Sequence, residues 1–276
     1  MTLQPARRAA SQLVKQAANA RDLIRRPESG VVVLLYHRVG RRSTLTVDLP
    51  AGLFAQQMAR LAHGGRVVDL DTALSVLAGR LPVPPFDPVV ITFDDGTADF
   101  IDEVVPVLAR YRLPATLYLA TEFTERGMPF ADGSAAMSWS AVREVHASGL
   151  VAIGSHTHSH ALLDRLPDSE VSDDLDRSIS LIADHLGSAP RHFAYPKAIL
   201  GSRAAEQAVR ARFVSAVLAG TRANAYGATD PYRVARSPIQ VADGLRWFAR
   251  KLDGGMALED DLRRLLNRRR YASAVT

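Results

Sequence analysis

Two short segments hold the side chains best suited to chemistry. In the first, the apolar run Val89-Val90-Ile91-Thr92-Phe93 ends abruptly in Asp94-Asp95-Gly96; in the second, Gly154-Ser155 leads into His156-Thr157-His158-Ser159-His160. Two carboxylates at the end of an apolar strand would cost on the order of several kcal/mol to desolvate unless a cation or hydrogen bonds compensate. Imidazole nitrogens and a carboxylate oxygen are donors that a divalent metal takes. If 156–160 makes a helical turn, His156 and His160 share one face. If it is extended, His156, His158 and His160 all fall on one side. Asp-Asp-Gly alone would be an ordinary turn, but the two segments together indicate a metal-dependent hydrolase.

The elements that must position these residues follow from the pattern around them. Val89–Phe93 is short, β-branched and not alternating, as expected of a strand buried on both faces. Further strands are predicted over 31–36, 115–119, 150–153 and 214–218, with a short one near Phe193. Helical periodicity is predicted over 52–63, 71–79, 99–112, 139–148, 168–187 and 203–212, and 121–138 reads as a loop. Alternating strands and helices imply parallel strands with crossover helices. His37, Asp94, Asp95, His156 and Tyr195-Pro196 each stand just past the C-terminal end of a predicted strand. In a parallel barrel those ends gather on one face, where active sites are built.

A chain of 276 residues with 47% hydrophobic content suits one large α/β domain. The absence of cysteine excludes disulfides and thiolate ligands. No apolar run approaches the ~18 residues of a membrane span. The basic N-terminus has no apolar stretch of the secretory kind, which favours a cytoplasmic protein. Arg7, Arg8, Lys15, Arg21, Arg25 and Arg26 crowd one end, and Arg263, Arg264, Arg268, Arg269 and Arg270 the other. Two solvated terminal helices are the expectation; peripheral contact with anionic lipid at the inner membrane face is the sharper alternative. The N-terminal stripe of Ala6, Ala10, Leu13, Val14, Ala17 and Ile24 is rich in alanine, and Arg21 interrupts it. No basic face with aromatic or groove-reading elements points to nucleic acid.

The ordered set Leu35-Tyr36-His37-Arg38-Val39, Thr92-Phe93-Asp94-Asp95-Gly96, His156-Thr157-His158-Ser159-His160 and Phe193-Ala194-Tyr195-Pro196 resembles the polysaccharide deacetylases, the NodB-homology carbohydrate esterases. It covers roughly residues 31–239, and Tyr36-His37 matches the branch with a Tyr-His near the N-terminus of a permuted barrel. The resemblance implies an α/β fold, a distorted (β/α) barrel with fewer than eight parallel strands, here with an extra N-terminal helix. The expected division is a basic helix and linker over 1–29, a catalytic domain over 30–255 and a basic tail over 256–276.

The same resemblance implies roles. Asp94 would be the catalytic base and Asp95 a metal ligand, with His156 and His160 completing an Asp-His-His set for Zn2+ or another divalent transition metal. His158 would then face substrate, and His37 would protonate the leaving amine. The family's Arg-Pro-Pro-Tyr-Gly motif is replaced by Ala194-Tyr195-Pro196-Lys197-Ala198, without its arginine and final glycine. The Lys197 backbone N–H is the expected oxyanion donor, Arg191 the replacement for the missing charge, and Tyr195 and Trp139 the substrate-binding side chains. The implied activity is removal of N-acetyl groups from an amino sugar in a glycan, glycolipid or polysaccharide precursor. The alternatives are an O-acetyl carbohydrate esterase and a catalytically impaired carbohydrate-binding relative.

Overall fold

Strands without polar alternation need cover on both faces, and here the sheet obtains it by closing on itself. In the computed structural model of the protein, residues 3–262 are described, with side chains from Ala10 onward. The chain begins with helix α1 (Leu3–Ile24), β1 (Val32–Tyr36), a small two-stranded sheet of β2 (Arg38–Val39) and β3 (Asp48–Leu49), α2 (Ala51–Gly64), α3 (Leu70–Leu77) and β4 (Val89–Phe93). Next come α4 (Val105–Tyr111), β5 (Ala115–Leu119), α5 (Thr121–Arg126), α6 (Trp139–Ala147), β6 (Val151–Ser155) and α7 (Asp168–Leu186). The last elements are β7 (His192–Ala194), α8 (Arg203–Arg212), β8 (Ser215–Ala219), β9 (Val234–Pro238) and α9 (Arg246–Leu252). Strands β1-β4-β5-β6-β7-β8-β9 form a closed parallel barrel, as expected of a (β/α) barrel with fewer than eight strands.

Register sets the height of the chemical residues. Tyr36 pairs with Phe93, so His37 and Asp94 leave the barrel side by side, and the Asp94 N–H donates to Tyr36 O at 3.1 Å. Leu119 pairs with Ser155, and the His156 N–H donates to Leu119 O at 2.9 Å. Outward-facing Tyr36, Ile91, Phe93 and Leu117 pack on Phe54 and Met58 of α2 and on Phe100 and Leu108. Inward-facing Val33, Val90, Tyr118, Ala194 and Val217 cluster with Leu70, Ala73, Leu74 and Leu77 of α3, which stoppers the N-terminal mouth. Burial of a large apolar side chain is worth about 1.5–3 kcal/mol, so these two layers supply most of the driving force.

Three expectations change. The helix expected over 99–112 is a π-helical turn, Phe100–Val104, followed by α4, because Pro106 has no N–H for a continuous α-helical ladder. The expected loop over 121–138 opens with α5. Helix α1 is not a solvated appendage: Lys15 is fully buried, bonded to Asp243 and Glu259, while Lys251 binds Asp243 at 2.8 Å. Trp247 Nε1 donates to Gln12 Oε1 at 2.8 Å, and Ala18 packs on Trp247 and Met256. Arg263, Arg264, Arg268, Arg269 and Arg270, with the side chains of Arg7 and Arg8, lie outside the described residues. No described helix is long and apolar enough to cross a membrane.

Removing one partner from a buried ion pair costs about 3–5 kcal/mol. Because Lys251 still holds Asp243, Lys15→Ala should destabilise the protein at the lower end of that range in urea titrations. A loss within the noise of such titrations would mean that this cluster does not anchor α1.

Candidate active site

The sharp end of β4 is built by backbone that few residues tolerate. Asp95 adopts φ 76° and Gly96 φ 88°, and a Cβ on Gly96 would lie 2.3 Å from Leu119 Cδ1, so glycine is required there. The turn sends the two carboxylates in different directions. Asp94, 2% exposed, is met from inside the barrel by Arg236 of β9 with two bonds of 2.6 and 2.7 Å, while its Oδ2 stays 3.8 Å from His156 Nε2. Burial pushes the Asp94 carboxyl up, but the Arg236 charge and its hydrogen bonds, with His156 and His37, outweigh burial and hold it below its ordinary value. Arg236 itself is fully buried, donates to Thr92 Oγ1 at 3.2 Å and lies 5.3 Å from the centre of the Tyr118 ring. Gly154 makes room for that ring, because a Cβ there would sit 2.6 Å from it.

Asp95 points towards the histidines. Its Oδ1 lies 3.6 Å from His156 Nε2 and 3.3 Å from His160 Nε2. Ligands about 2.0–2.1 Å from a tetrahedral zinc ion are separated by roughly 3.3 Å, so this donor set fits a divalent metal. Among the described residues it is the one group of three such side chains whose donor atoms converge. His156 Nδ1 lies 2.7 Å from Ala194 O, which places the proton on Nδ1 and leaves the Nε2 lone pair facing the site. Burial pushes His156 down to about 4, so it is neutral and able to ligate over the whole physiological range.

The loop that carries the histidines is neither the helical turn nor the extended strand weighed from sequence. Thr157 (φ 69°) and His160 (φ 59°) are both left-handed, and this double reversal brings the His156 and His160 rings to 5.0 Å. Asp174 of α7 holds the loop by accepting the His158 N–H at 2.6 Å and the Ser159 N–H at 3.0 Å. His158 turns away from the donor set: its Nδ1 meets Thr121 Oγ1 at 3.0 Å.

His37 follows β1 at the same level, close enough to depress both carboxylates electrostatically, and its Nδ1 is buried without a hydrogen-bond partner in the protein. After β7, Lys197 (φ 54°) and Ala198 (φ 56°) are both left-handed. Alanine therefore keeps the conformation that the expected glycine would favour, at a strain of about 1–2 kcal/mol. The turn is closed by Ala198 N–H to Tyr195 O and Ile199 N–H to Pro196 O, without using the Lys197 N–H.

Three residues singled out from sequence lie elsewhere. Arg191 precedes β7, so it sits at the N-terminal mouth, 3.0 Å from Asp71 and far more exposed than a buried base could use. The charge expected of it comes instead from Arg236, in the segment 234–239. Tyr195 is fully buried with its ring edge-on to Phe193 at 5.1 Å, and burial raises its phenol pKa; it is core, not a substrate contact. Trp139 stacks on His185 of α7 at 4.0 Å and donates to Glu125 at 2.8 Å, so it joins outer helices rather than walling a cleft.

Residues 83–215 match the family model described as polysaccharide deacetylase. With the seven-stranded barrel, this places the chain's resemblance among the polysaccharide deacetylases in both sequence and fold. The poly-beta-1,6-N-acetyl-D-glucosamine N-deacetylase of Escherichia coli (strain K12) is 28% identical over 146 residues, which span 49% of this chain but only 22% of that relative. Among solved structures, IcaB from Ammonifex degensii superposes with a TM-score of 0.71 at 28% identity, covering 82% of this chain and 98% of that one. The Streptococcus pyogenes deacetylase PplD in complex with acetate shares the fold at a TM-score of 0.66 and 21% identity, covering 80% of this chain and 98% of that one.

Elemental analysis should find close to one divalent transition metal per chain, lost in Asp95→Ala and His156→Ala. A metal content that these substitutions leave unchanged would place the ion elsewhere.

Proposed function

We propose that this protein is a metal-dependent N-deacetylase acting on an amino sugar in a glycan, glycolipid or polysaccharide precursor. One observation carries the reading: a buried carboxylate clamped by Arg236 stands beside a separate Asp-His-His donor set, so base and ligands are distinct groups. Zinc held by Asp95, His156 and His160 would supply Lewis-acid polarisation of the acetyl carbonyl and a more acidic attacking water. The remaining work falls to the chain itself. Asp94, ionised at neutral pH, accepts the proton of the attacking water, and Arg236 keeps its carboxylate aimed at the site. The Lys197 N–H, which the turn after β7 leaves unused, would donate to the developing oxyanion. His37 returns a proton to the amine as the carbon–nitrogen bond breaks; an amine, unlike an alcohol, cannot leave readily without it. The fit of the donor set to zinc and the match over residues 83–215 support the hydrolase, and the N-deacetylase among the relatives supports the amide reading.

The first substrates to try are β-1,6-linked N-acetylglucosamine oligomers, by analogy with that relative. Asp94→Asn should lower acetate release by about 10²–10⁴-fold while metal content stays at the wild-type level. Near-normal turnover in this variant would remove Asp94 from the base role. Arg236→Lys, which loses the two-pronged grip, should lower kcat by about 10–100-fold with little change in KM. His37→Ala should impair release from amide-linked acetyl groups far more than from ester-linked ones. Equal losses on the two substrates would move the acid role to another group.

A further inference from the structure

We propose that the N-terminal end of the barrel, with the last turn of α1, docks onto an anionic lipid bilayer. Helix α1 packs lengthwise through Gln12, Lys15, Ala18, Asn19 and Asp22, from Ala242 and Asp243 beyond β9 to Met256, so its last turn, with Leu23 68% and Ile24 90% exposed, comes to the N-terminal end. The buried lysine cluster fixes the rotation of the helix, because Lys15 cannot leave Asp243 and Glu259 to turn Leu23 and Ile24 in. Of the stripe read from sequence, Ala10, Leu13, Ala17 and Ile24 are exposed and Val14 is half-buried, while the side chain of Ala6 lies outside those described.

A second segment contributes independently. The loop between α3 and β4 exposes Leu81 (44%), Val83 (54%) and Phe86 (42%). It lies at the same end as the α1–β1 linker, since Asp87 bonds Ser29 and the Gly30 N–H, and Val32 pairs with Val89. Val214, 45% exposed just before β8, adds to that end. Solvated single hydrophobics need no explanation, but several from three chain segments at one end do.

The charge around them selects the partner. Arg25, Arg26 and Arg80 are exposed at this end, and Arg21 lies 3.7 Å from the exposed Asp261. The acids nearby are Glu28, Asp69, which caps α3, Asp71, which is paired with Arg191, Asp87, which is held by Ser29 and Tyr226, and Asp230, which is paired with Arg210. Apolar side chains rimmed by arginine fit the interface of an anionic bilayer, where each basic group near the surface adds about 1 kcal/mol. Self-association through the same patch would set arginine against arginine across a two-fold axis. With this end on the bilayer, the opposite mouth with His37, Asp94 and Asp95 opens towards water.

Vesicle co-sedimentation of the full-length protein tests this, using phosphatidylcholine with and without phosphatidylglycerol. Binding should require the anionic lipid and weaken as salt is raised. Ile24→Ser with Phe86→Ser, and separately Arg25→Glu with Arg26→Glu, should each weaken binding by about tenfold or more without lowering the melting temperature, because all four side chains are exposed. Absence of binding to anionic vesicles overturns the proposal, as does binding that both variants retain. Concentration-dependent dimers abolished by the same variants, without vesicle binding, would instead assign the face to a second copy of the chain.

Discussion

The carboxylate of Asp94, taken out of water at the end of β4, sets the constraint from which the rest of the site follows. Its ionised form survives only because the Arg236 guanidinium, itself fully buried, reaches it with two short bonds. Neither charge would be tolerable alone in that interior. Arg236 lies on β9, and β9 stands beside β1 only because the sheet closes, pairing Val33 with Arg236. Closure of the barrel and ionisation of Asp94 are thus coupled: an open sheet would leave both charges without partners.

With Asp94 neutralised from below, Asp95 is free to serve the other side. The left-handed turn at Asp95-Gly96 separates two neighbouring side chains that would otherwise repel, giving one to arginine and the other to the imidazoles. The second carboxylate then needs a positive charge that His156, held neutral by burial, does not provide. A divalent cation meets that need and matches the spacing of the donor atoms. The hydrogen bond from His156 to Ala194 O ties this arrangement to β7, whose end also carries the left-handed Lys197 and Ala198.

Much of this was legible in the sequence because it is local. The apolar runs before His37, Asp94 and His156 announce strands, and residues just past parallel strands share one face. Arg236 was not legible for the opposite reason. It is far from Asp94 along the chain, sits in a strand with no apolar run, and resembles any surface arginine until closure turns it inward. Arg191 drew attention through nearness to Pro196, but β7 is so short that three residues separate the two ends of the barrel. Tyr195 looked like a binding side chain because it adjoins a motif, whereas its ring completes the packing of Phe193 and Phe213. The loop 156–160 reaches the right pairing through two left-handed residues that no periodicity encodes. Helix α1 misled in a different way: its basic residues suggested a solvated helix, and the buried contacts of Lys15 override that reading.

Metal-dependent hydrolysis of an N-acetyl group is the proposed activity. Its most direct test is acetate release from N-acetylglucosamine oligomers by protein stripped with a chelator, checked for residual metal, and then reloaded with zinc. Loss of release on stripping and recovery on reloading is the predicted result. Undiminished release from protein verified to be metal-free would contradict it.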